Sequence, residues 1–116
     1  MDAVAPMEPV GPVLDEIHAE RLNQHVKWGE QHHPNGTGAV EPFLGGEQFY
    51  YLASQTRYQT NNHAEQGKVT YADILLEEVF EAMAEADPAK LRAELIQVAA
   101  VAVQWVQIID KRKRET

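Results

Sequence analysis

Cysteine is absent from the 116 residues, which excludes disulfides, thiolate catalysis and Cys-ligated zinc. That absence fits a reducing compartment, and a cytoplasmic location is expected. Basic residues are scarce: 10 Lys and Arg stand against 18 Asp and Glu, a formal net charge of −8. A general binder of nucleic acid or of anionic membranes needs an electropositive footprint, so neither partner is expected. No basic stretch followed by an apolar one opens the chain, and no signal peptide is read there. The longest uncharged, mostly apolar run, residues 95–109, is too short to span a bilayer and holds three Gln. Alternating runs of Val, Ile and Thr are missing, as are internal repeats, so no sheet is required. A chain of 116 residues has room for one domain, with a thin stability margin unless partners contribute.

What is present is helical spacing. Residues 1–12 hold Pro6, Pro9, Gly11 and Pro12 and read as a mobile lead-in. A single helical domain is expected over 13–111, followed by a basic tail at 112–116. Leu14, Ile17, Leu22 and Val26 recur at helical intervals, and the pattern fails at His33-Pro34-Asn35-Gly36. A Gly-rich loop follows, then a second helix over 47–59, closed by the polar stretch 60–68. Thr70 with Asp73 approaches a capping box for a third helix ending near Ala86. Asp87-Pro88 reads as N-cap and first turn of a fourth helix running to about Lys111. The fold class predicted is all-α, a protomer resembling a four-helix bundle.

The acidic residues of the third helix are not scattered. Taking Glu77 as zero, Glu81, Glu85 and Glu78 fall at about 40°, 80° and 100°, a single quarter of the circumference. Such a face is ordinarily a solvated one. Here, however, Glu77/Glu81 and Glu81/Glu85 are repulsive i,i+4 pairs with no Lys or Arg on the face. In the fourth helix Glu94 lies at the middle of a stripe made by Leu91, Val98, Val101, Trp105, Ile108 and Ile109. A carboxylate placed there must be paired with a buried Arg or Lys, protonated, or bound to a metal. Gln97 projects at the border of that stripe. Oxygen ligands at i,i+3 on facing helices are how bundle cores hold hard cations such as Mg²⁺ or Mn²⁺.

Glu77-Glu78-x-x-Glu81, followed across a short turn by Glu94-x-x-Gln97, resembles the EExxE…ExxD signature of the MazG-like, all-α nucleoside triphosphate pyrophosphohydrolases. The likeness covers about residues 70–110. Lys27-Trp28-Gly29-Glu30-Gln31 and the following HHPNGTG are similar to the first-helix end and loop of small MazG-like proteins. The resemblance implies a Mg²⁺-dependent hydrolase that splits a nucleoside triphosphate into monophosphate and pyrophosphate. It implies Glu78, Glu81, Glu94 and Gln97 as metal ligands and Glu77 and Glu81 as catalytic, with Glu77 supporting the ligands, holding another ion or helping to activate the water. Lys27, Trp28, Gln31 and His32 would meet the nucleotide. Gln97 stands where the pattern has Asp; its carbonyl can ligate, but it brings no charge and cannot act as a base. That departure leaves a second reading open, a MazG-like module that binds nucleotides or partners without turnover.

Arg57 and Lys68 flank the carboxylate helix and are candidates for phosphate contacts. Trp28 is either an ordinary core or rim aromatic or a stacking surface for a base. The four cations Lys111–Arg114 suit the C-terminal end of a helix dipole. Ile96, Ala99 and Val103 lie well away from the Glu94 stripe, so the fourth helix is apolar over much of its girth. Self-association into a homodimer or homotetramer is therefore expected.

Overall fold

The computed structural model describes residues 4–116. The first three positions of the expected lead-in lie outside the described residues. Four helices carry the chain: α1 (Gly11–Trp28), α2 (Phe49–Glu65), α3 (Tyr71–Met83) and α4 (Pro88–Arg114). A single 3-10 turn, Leu44–Gly46, precedes α2, and an isolated bridge joins Pro42 to Gln48. No strand occurs among the described residues, and the protein is all-α.

The chain divides into two compact units. One contains α1 and Val103–Thr116; the other is Pro34–Ala102. In the first, α1 opens with Pro12 in its first turn, where a missing N–H costs nothing. It stops at Gly29, whose N–H still reaches His25 O at 2.8 Å while its positive φ of 70° turns the chain out of the helix. Only Val13 of α1 is buried, while Leu14, Ile17, Leu22 and Val26 are exposed. Gln107 donates to the carbonyls of Glu8 and Pro9 at 3.1 Å, and Arg114 lies 3.7 Å from Glu8 Oε2.

The second unit is built on the closely packed pair α2 and α3. Phe43, Phe49 and Phe80 form an aromatic cluster with centroids 5.6–6.4 Å apart. Of these rings Phe49 is buried, Phe80 half-buried and Phe43 exposed; Ala53, Ala82 and Leu91 are the other buried apolar residues of this unit. The predicted capping box is present: Thr70 Oγ1 accepts from the Asp73 N–H, and Asp73 Oδ2 accepts from the Thr70 N–H, both at 3.1 Å. Asp87 caps α4 by accepting from the Lys90 N–H at 2.9 Å. The Gly-rich loop is tied back by Gly38 N–H to Met83 O and Tyr50 N–H to Ala39 O, both 2.9 Å.

The ends of α2, α3 and α4 differ from the sequence reading, the first two for a tertiary reason. Helix α2 continues to Glu65 rather than stopping at 59, because α3 supplies partners for its polar last turns. Thr60 Oγ1 donates to Thr56 O and to Asp73 O, and His63 bonds Asp73. Helix α3 ends at Met83, short of Ala86, where the loop's Gly38 takes the Met83 carbonyl. Helix α4 runs on to Arg114, with Lys111–Arg114 in the last turn, where cations meet the negative end of the dipole.

Candidate metal centre

Helix α3 turns Glu77, Glu78 and Glu81 to one side, and α4 brings Glu94 to meet them. One ligand oxygen each from Glu78, Glu81 and Glu94 falls within 4.8 Å of the others, and all three residues are half-buried. Glu78 Oε2 and Glu94 Oε2 are buried and have no hydrogen-bond partner. Burial pushes the Glu78 carboxyl above its ordinary value, with the charges of Glu81, Glu94 and Glu77 adding to the push. No Arg or Lys pairs with Glu94 among the described residues. Two orphaned carboxylate oxygens are costly to bury, and either a shared proton or a hard cation could satisfy them.

Arg57, on α2, reaches the edge of this cluster. Its Nη2 donates to Glu81 Oε1 at 3.3 Å, and its Nε lies 3.9 Å from Glu77 Oε1. Glu77 is thus drawn to Arg57 and is not one of the converging three. Beside them opens a hollow of about 480 Å³ lined by Tyr50, Ser54, Arg57, Glu81, Glu85 and Glu94. Tyr50, Ser54 and Arg57 reach one hollow because i, i+4 and i+7 lie within about 60° on a helix. That spacing was readable, but the partner helix was not.

The other expected site residues fall elsewhere. Gln97 is exposed, and its side chain makes no hydrogen bond among the described residues. Lys68 is exposed in the turn between α2 and α3. Lys27, Trp28, Gln31 and His32 all belong to the first unit. There, Lys27 Nζ sits 5.0 Å over the half-exposed Trp28 ring, and His32 Nε2 is 3.4 Å from Glu30. Trp28 and Gln31, with Arg21, Gln24, His25 and His33, line a hollow of about 360 Å³ in that unit.

One polar network was not foreseen. Asp73 is the one buried charged residue among those described, at 4% exposure. It accepts from His63 Nδ1 at 2.7 Å and Gln59 Nε2 at 3.1 Å, besides the Thr70 N–H. His63 comes first among the causes that hold its carboxyl far below the usual range, and Gln59 follows. A carboxylate that stays ionised requires the proton on His63 Nδ1, which fixes the tautomer. The Thr70/Asp73 spacing marked the cap, whereas His63, ten residues upstream, gave no periodic signal.

No protein-family model, curated protein or solved structure matches this chain. The chain is an all-α protein with an acidic, half-buried cluster shared by α3 and α4.

Proposed function

We propose that Glu78, Glu81 and Glu94 hold a Mg²⁺ or Mn²⁺ ion and that the protein is a nucleotide pyrophosphohydrolase. The observation that carries the cation is the pair of buried, partnerless oxygens on Glu78 and Glu94, two residues that converge with Glu81 from two helices. The likeness of the carboxylate motif to the MazG-like pattern adds the substrate, a nucleoside triphosphate cleaved to monophosphate and pyrophosphate. When bound, a divalent ion supplies charge neutralisation at the phosphoryl oxygens and a lowered pKa for water. Arg57 is placed to contact phosphate from the hollow beside the cluster. Glu77, adjacent but outside the trio, would orient or deprotonate water. Phosphoryl-type transfer asks for positioning and charge rather than a side-chain nucleophile, which suits a chain without cysteine.

The test is pyrophosphate release from canonical and modified nucleoside triphosphates with Mg²⁺ or Mn²⁺. Turnover that disappears in Glu81→Ala while helicity is retained supports the hydrolase. A second reading, a binder without turnover, is favoured by Gln97, which is uncharged and exposed. Calorimetric binding of nucleotide with no pyrophosphate released selects that reading.

A further inference from the structure

We propose that Arg57 couples the two ligands of this centre: it shares Glu81 with the cation and turns its guanidinium to phosphate when the cation takes that carboxylate. The inference rests on the cation reading above and specifies how the same site admits an anion. Among the described residues, Arg57 is the one basic side chain in ion-pair contact with Glu77 or Glu81. Its stronger partner, Glu81, is also a member of the converging trio. The Arg57 side chain is 52% exposed, and carboxylates are its contacts, so the pair exchanges readily. It faces the hollow of about 480 Å³ that Glu81 and Glu94 also line. The planar fork of a guanidinium matches phosphate oxygens as well as it matches a carboxylate.

The electrostatics run one way. Glu77, Glu78, Glu81 and Glu94 together repel an anion, and a single Arg does not reverse their field. A divalent ion on Glu78, Glu81 and Glu94 draws on the charge of Glu81 and loosens its hold on Arg57. Conversely, an anion that draws Arg57 off Glu81 leaves that carboxylate to the cation. Linkage makes these one coupling, so each ligand strengthens the other by the same factor.

The experiment uses the full chain with Mn²⁺ followed by electron paramagnetic resonance. Inorganic pyrophosphate is titrated by calorimetry with and without saturating Mn²⁺, corrected for the complex the two form in solution. Arg57→Ala is expected to bind Mn²⁺ more tightly, by up to about fivefold, the span open to an exposed ion pair. The same variant loses most of the Mn²⁺-dependent gain in pyrophosphate affinity. Arg57→Lys keeps the charge, so its Mn²⁺ affinity stays near wild type while part of the pyrophosphate gain is lost. Unchanged or weaker Mn²⁺ binding in Arg57→Ala, or an intact pyrophosphate gain, overturns the coupling. Wild-type protein that takes up no Mn²⁺ defeats the cation reading and this inference with it. That outcome is distinct from a wild type that binds the ion and a variant that matches it.

Discussion

Glu94 stands inside an apolar stripe of α4, and its buried oxygen has no partner. Glu94→Gln keeps the volume and removes the charge. Its Mn²⁺ affinity is expected to fall about tenfold or more, with metal-free thermal stability unchanged or higher because an uncompensated charge has gone. Gln97→Asp should raise Mn²⁺ affinity if its side chain turns toward the ion, and an unchanged affinity removes Gln97 from the ligand set. Asp73 and Glu78 titrate in opposite senses. Asp73 is held well below its ordinary 3.8, so the stability it contributes is complete above that pH and is lost on further acidification. Glu78 is raised above its ordinary 4.5, so metal-free protein gains stability as pH falls toward that value, and the gain levels off below it. Thermal midpoints recorded against pH should show both limbs. Glu78→Gln should flatten the gain and Asp73→Asn the loss.

At the scale of the helix, local signals were legible wherever the chain satisfies its own ends. Thr70 with Asp73 and Asp87 with Pro88 marked two helix starts from sequence alone, because each cap is made within three residues. The carboxylate face of α3 was also readable, since 3.6-residue periodicity fixes which side chains share a side. What periodicity does not encode is the neighbour. The extension of α2 through Asn61, Asn62 and His63 depends on Asp73 across the pair, and the meeting of Arg57 with Glu81 depends on how α2 lies against α3. The early end of α3 depends in turn on the loop. Gly38 has φ of 147°, and a Cβ there would lie 3.4 Å from Glu41 Cγ, so the strain is in the backbone rather than in crowding. Gly38→Ala is expected to cost about 1–3 kcal/mol in urea unfolding, with the α3 C-terminus losing hydrogen-exchange protection first.

For the molecule as a whole, many large apolar side chains are left exposed. Among the described residues five hydrophobic side chains are buried, whereas Leu95, Ile96, Val106 and Ile109 of α4 are each at least 40% exposed. By length and composition alone α4 is also apolar enough to cross a membrane, a test that core helices of soluble proteins pass as well. Self-association is the expected outcome. Light scattering at micromolar concentration should give a dimer or tetramer, and Ile96→Glu should shift it toward monomer with helicity preserved. A monomeric wild type removes this expectation.

The division into two units has an optical consequence. Both tryptophans, Trp28 and Trp105, belong to the unit containing α1, and all four tyrosines, Tyr50, Tyr51, Tyr58 and Tyr71, belong to the other. Indole emission therefore follows one half of the protein, and second-derivative phenol absorbance follows the other. Overlaid denaturation curves from the two chromophores would mean that the halves melt as one; separated curves would assign an order to their melting.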